Sequence, residues 1–149
     1  MSGRFVGWLL HPADRARLLS AIPPAYPRVM AHHVTLRFGV GAGFPLPVEQ
    51  EGVVIGLSDD GAGLQALVVE IGGTTRRPDG SVYHITWSLG PGRQPVESNA
   101  VLRKHGWTAV ERQPVRLEPR LFPRGAAQSR ASPVKPSRRR AAMERWAER

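Results

Sequence analysis

Apolar residues in this chain fall into short, often β-branched runs punctuated by Gly, Pro and Asp, and only two stretches carry a helical spacing. RFVGWLL, Arg4–Leu10, is too apolar for an exposed edge and predicts a first strand. His11-Pro12-Ala13-Asp14 then predicts a helix start. Pro12 suits the first helical position, Asp14 complements the positive helix end, and Leu18, Leu19 and Ile22 supply one apolar face before Pro23-Pro24 stops it. Residues 31–39 alternate as a strand, with Val34, Leu36 and Phe38 expected inward. A Gly/Pro-rich loop, 39–48, leads to two apolar runs, 52–57 and 64–71, joined by the turn-rich Ser58-Asp59-Asp60-Gly61-Ala62-Gly63 as a hairpin. Residues 81–89 alternate again, with Tyr83, Ile85, Trp87 and Leu89 inward. Residues 95–105 read as a helix with Val96, Val101 and Leu102 inward and Gly106 as its stop, and 114–122 as a last short strand carried by Val115 and Leu117. Trp8, Trp87 and Trp107 are assigned to the core.

The order β-α-β-β-β-β-α-β predicts an α+β domain with a mainly antiparallel sheet. At 149 residues one domain is expected, placed at 1–123, and it can bury a proper core without metal or disulfide help. Beyond Pro123 the apolar periodicity is lost in Arg, Ala, Ser and Pro, which predicts a disordered tail over 124–149. That tail carries eight Lys/Arg against two Glu, so +6 of the formal +9 resides there. Such an excess favours polyanions in general, and non-specific RNA affinity or a flexible solubilising extension are the expected uses. Cysteine is absent, which excludes a thiol nucleophile and cysteine-ligated zinc. The apolar run after Arg4 is too short to span a bilayer, so the expectation is a cytoplasmic protein without a membrane partner.

Candidate chemistry sits on the two alternating strands. His33-Val34-Thr35-Leu36 and His84-Ile85-Thr86-Trp87 repeat one pattern 51 residues apart. In extended backbone His and Thr two apart share a face, so each strand offers an imidazole beside a hydroxyl, backed by apolar residues. Two such strands facing each other suit a phosphodiester. One imidazole takes a proton from water, its twin protonates the leaving oxygen, and the hydroxyls hold the non-bridging oxygens. The scheme asks for no metal or other cofactor. The neighbouring His32 is expected on the opposite strand face from His33, with no carboxylate spacing that suggests a metal site.

These motifs, with the α+β order, resemble the two-histidine (2H) phosphoesterase superfamily. The context Ala31-His32-His33-Val34-Thr35-Leu36-Arg37-Phe38-Gly39, and Ser98-Asn99 after the second motif, are most similar to the cyclic phosphodiesterase domain of fungal and plant tRNA ligases and small bacterial relatives. The resemblance covers about residues 4–122. It implies a two-lobed fold with mainly antiparallel sheets and two helices around a central cleft, and opening of RNA 2′,3′-cyclic phosphate ends, in that branch to a 2′-phosphate. It also implies His33 and His84 as the acid/base pair and Thr35 and Thr86 as phosphate binders, leaving open which histidine is the acid.

Other residues are candidate substrate contacts with an ordinary structural alternative. Arg37 and Ser88 extend the two motif faces by one step; a solvated strand end competes for Arg37. Arg76 and Arg77 precede the second motif strand and could guide a nucleic acid, although a solvated charge pair is the simpler reading. Tyr26, Phe44 and Tyr83 could stack a terminal base, with core packing favoured for Tyr83. Ser98 reads as a helix cap or local donor, while His11 and His105 default to structure or surface. Two alternatives stay open: the same chemistry on a cyclic dinucleotide, ADP-ribose cyclic phosphate or 2′-5′ linked oligonucleotide, or a catalytically silent RNA-binding module. Oligomeric state is not legible.

Overall fold

The computed structural model describes residues 3–123; the basic tail expected at 124–149 lies outside the described residues. Within them the chain runs β1 (Arg4–Leu10), α1 (Pro12–Ala21), β2 (Arg28–Val29), β3 (His33–Val40), β4 (Glu51–Asp59), β5 (Leu64–Glu70), β6 (His84–Leu89), α2 (Glu97–His105) and β7 (Thr108–Phe122). It is an α+β fold, and every pairing between these strands is antiparallel. The strand order is β2-β6-β5-β4-β7-β1-β3. Since β2 and β3 are consecutive stretches of chain, the two ends of this order meet and the sheet curls back on itself.

Both helices form where the sequence predicts. His11 caps α1, its Nδ1 accepting the Ala13 N–H at 3.1 Å, with Pro12 entering the first turn. Asp14 does more than complement the helix end: its carboxylate accepts from the Arg116 backbone N–H (2.7 Å) and Nε (3.1 Å), pinning α1 to β7. Helix α2 ends at Gly106, whose φ of +67° provides the left-handed stop.

The interior joins Trp8, Leu18, Val34, Val54, Leu67, Val69, Tyr83, Ile85, Trp87, Val115 and Leu117. The Trp8 and Trp87 indoles donate to the Glu49 and Ile22 carbonyls, both at 2.8 Å, which satisfies the one polar atom each ring buries. Under α2 a second cluster joins Met30, Leu64, Ala66, Leu89 and Val101.

Four structural expectations need correction. The last strand spans 15 residues instead of a short piece at 114–122. Its first part pairs with β4 and its last part with β1; each part leaves one edge unpaired, so Pro114 and Pro119 fit where their missing N–H has no ladder to break. Trp107 is 40% exposed and lies over Gly56, where a side-chain carbon would collide with the indole. Val96 is exposed because it precedes the first turn of α2 and does not join its inward face. Phe38 is 55% exposed because β3 carries a bulge: Gly7 pairs with Thr35 and Val6 with Arg37, so Leu36 is skipped and the parity of the strand reverses.

Candidate active site

The two HxT strands are brought together by the short β2 segment. Arg28 pairs with Leu89 and Val29 with Ser88. This continues through Met30 N–H to the Trp87 carbonyl (2.9 Å) and Ala31 N–H to the Thr86 carbonyl (3.0 Å). Beyond Ala31 β3 lies against β6, and His33 comes close enough to His84 to sense its charge. Ala31 makes the exit from β2 possible. It takes a φ of +46°, uncommon for a residue with a side chain, and its carbonyl accepts the Arg15 Nε at 2.8 Å.

The first motif is half-buried at His33 and buried at Thr35, with Val34 fully inside. The His33 ring packs on Phe5 (4.9 Å between centroids) and Phe122 (5.2 Å). Burial among these rings, and then the neighbouring charges of His32 and His84, hold the His33 imidazole well below its usual pKa. The same observation places the His84 ring close enough to disfavour protonation of His33. The Thr35 hydroxyl has no hydrogen-bond partner among the described residues, although Thr35 is only 6% exposed. A buried orphan hydroxyl costs about 1–3 kcal/mol, so such groups are rare unless something else binds them.

The second motif lies on β6, which bulges at the motif's last position: Gln65 pairs with Ser88 and Ala66 with Thr86, so Trp87 is skipped. His84 Nδ1 is 2.8 Å from the Val82 carbonyl. A carbonyl only accepts, so Nδ1 carries the proton and Nε2 is left as an acceptor. Burial, reinforced by the Arg77 charge and opposed by the Val82 carbonyl, pushes the His84 pKa down to about 4. Thr86 Oγ1 lies 2.8 Å from the Ser98 Oγ at the start of α2, and 3.4 Å from the Pro95 carbonyl. Ser98 therefore braces Thr86 and does not cap α2.

Of the other sequence candidates, Arg77 changes most. Far from being a solvated charge, it is 5% exposed and bridges three elements of the site. Its Nε donates to Ser81 Oγ (2.6 Å), Nη1 to the Thr35 carbonyl (3.3 Å) and Nη2 to Asn99 Oδ1 on α2 (2.8 Å). The Asp79 carboxylate, 3.7 Å from Nε, is largely exposed and so compensates the charge weakly. A cation buried beside a low-pKa imidazole is a feature that the sequence motif does not announce. Its one signal was the pair of arginines just ahead of the second motif.

Arg76 is exposed and donates to the Gly80 carbonyl within its own loop. Ser88 fails to extend the site face: it is fully buried, donates to Gln65 Oε1 (2.6 Å) and accepts the Tyr26 N–H (3.1 Å). Tyr26 is turned toward β4, its hydroxyl on Asp59 Oδ1. The bulge at Leu36 takes Arg37 off the His33 face, and its guanidinium rests over the Phe44 ring at 5.4 Å. Phe38 replaces it there, touching Phe5, which in turn touches His33. Tyr83 packs edge-on against Trp8, as the core reading expects.

His32 also departs from expectation. It precedes the first residue of β3 and follows the left-handed Ala31, so strand alternation does not govern it. Its Nδ1 stands 3.1 Å from the Nδ1 of His33.

Among the described residues no group of three or more His, Asp or Glu is arranged to hold a metal ion, and no helix is long and apolar enough to cross a membrane. Comparison with family models, curated proteins and solved structures finds no match, so the function has to be read from the geometry of these side chains.

Proposed function

We propose that this protein is a 2H-type phosphodiesterase that opens 2′,3′-cyclic phosphate ends of RNA without a metal, with a two-lobed arrangement that exposes the HxT faces to the substrate. One observation carries the reading: the two HxT strands lie together with the His84 charge acting on His33, beside a buried threonine whose hydroxyl no described residue satisfies.

The partners of the two rings give them different tasks. His84, with its proton held on Nδ1 by Val82 and the Arg77 charge nearby, presents Nε2 as a base. Water attacks phosphorus as His84 Nε2 takes its proton. The bond from phosphorus to the ribose 3′-oxygen breaks, and that oxygen takes a proton from His33, leaving a 3′-hydroxyl and a 2′-phosphate. Thr35 and Thr86 donate to the non-bridging oxygens, Thr86 by giving up its long contact to Pro95. The Arg77 charge offsets the negative charge that gathers there.

The test is turnover of 2′,3′-cyclic mononucleotides and of an oligonucleotide ending in a cyclic phosphate, in the presence of a chelator, with products identified by mass and chromatography. His33→Ala and His84→Ala are each expected to lose roughly 10²–10⁴-fold in kcat while keeping the wild-type circular dichroism. Normal turnover in either variant, or none in the wild type, overturns the proposal.

A further inference from the structure

We infer that His32 is a positioning residue for this site: its Nδ1–H donates to His33 Nδ1, fixing His33 as the tautomer that points an N–H at the substrate, and it returns a proton to His33 during turnover. The inference rests on the phosphodiesterase reading above, and adds to it a residue outside both motifs.

At 3.1 Å the two Nδ1 atoms share one hydrogen, so one ring must donate. If His33 donated, its Nε2 would be a bare acceptor. His84 Nε2 is already one, since Nδ1 of that ring gives its proton to Val82. Two acceptors would then meet at the site and neither could protonate a leaving oxygen. If His32 donates, His33 carries its proton on Nε2 and the two motif rings become complementary, a donor opposite an acceptor, while both remain neutral. Neutrality matters here because His33 lies among Phe5 and Phe122 and close to two other imidazoles, where an extra charge is poorly tolerated.

The same contact balances the proton transfers. His32 enters this step as the imidazolium: as the 3′-oxygen leaves, the His33 Nε2 proton moves to it, the His32 Nδ1 proton moves to His33 Nδ1, and His32 is left neutral with its proton on Nε2. His33 thus changes tautomer without gaining charge. The relay resets when His33 Nε2 takes a proton from solvent and His33 hands its Nδ1 proton back to His32. The proton that His84 took from water returns to solvent separately.

Long-range proton–nitrogen NMR on imidazole-labelled protein reads the tautomers directly. His33 is expected with its proton on Nε2 and His84 with its proton on Nδ1. His32→Ala is expected to randomise the His33 tautomer and lower kcat by roughly 10- to 100-fold at nearly constant KM. In His32→Asn the amide N–H takes the place of Nδ1–H, so the His33 tautomer is expected to return while kcat recovers only in part. A His33 proton on Nδ1 in the wild type, or kcat within twofold of wild type in His32→Ala, overturns the inference. A wild type that turns over no cyclic phosphate, yet shows these tautomers and their loss in His32→Ala, overturns the phosphodiesterase reading and the relay while upholding the positioning contact.

Discussion

The two motif strands carry the same tripeptide pattern and are built differently around it. On β6, which bulges at Trp87 one residue past Thr86, His84 is anchored by a backbone carbonyl and Thr86 leans on Ser98 of α2. On β3, which bulges at Leu36 in the matching place, His33 is anchored by another imidazole and the Thr35 hydroxyl has no partner among the described residues. A motif repeat therefore does not mean a repeated role. The group on the far nitrogen of each ring decides whether the near nitrogen gives or takes a proton, and that group lies outside the motif in both cases.

The sharpest way to break this distinction is to change how much the leaving group needs a proton. On an aryl phosphodiester such as a 4-nitrophenyl ester, departure needs no acid. His84→Ala is expected to lose roughly 10²–10⁴-fold on both the aryl and the cyclic substrate, and His33→Ala to lose at least about tenfold less on the aryl ester than on the cyclic phosphate. Equal losses in the two variants on both substrates would make the rings interchangeable.

Arg77 joins the two halves, since it binds the Thr35 carbonyl of one motif and lies near the imidazole of the other. Arg77→Met keeps the stem but strands Asn99 Oδ1 and Ser81 Oγ, at an expected cost of about 2–4 kcal/mol in denaturant unfolding. An unfolding midpoint within about 0.5 kcal/mol of wild type would mean that the guanidinium is not the joint between the strands.

A smaller effect separates the histidines by pH. In both, the fold favours the neutral ring, so the folded pKa lies below the unfolded value near 6.5. Between these limits the unfolded chain binds more protons. Stability is therefore full above about pH 6.5 and falls as pH drops, for His84 down to about 4. His84 is only half-buried, which trims its share to about 1–2 kcal/mol. Denaturant unfolding at pH 7 and pH 4.5 should show this slope, and His84→Asn should flatten part of it. A slope unchanged in that variant would place the acid sensitivity elsewhere.

Much of the scaffold followed from local pattern. The helices at Pro12–Ala21 and Glu97–His105, the hairpin of β4 and β5, and the inward set Val34, Ile85 and Trp87 were all legible, because alternation and caps depend on residues only a few positions apart. That His and Thr share a face within each motif was legible for the same reason. What the pattern missed depends on residues far away in the chain. The bulge that turned Phe38 out and moved Arg37 aside is set by pairing with Gly7 and Val6 on β1, where a side chain on Gly7 would strike the Val34 carbonyl. Ser88 was lost to the interior through Gln65 and the Tyr26 backbone.

By itself, then, the sequence determined which side chains share a strand face and that two such faces exist, since backbone geometry enforces a period of two wherever a strand is regular. Only the tertiary structure decided that Arg77 is buried, through partners 42 residues before it and 22 after it. Only it decided, too, that the left-handed turn at Ala31 swings His32 onto His33. Those contacts come from chain crossings that no local period encodes, and they are the ones that make two identical motifs chemically unlike.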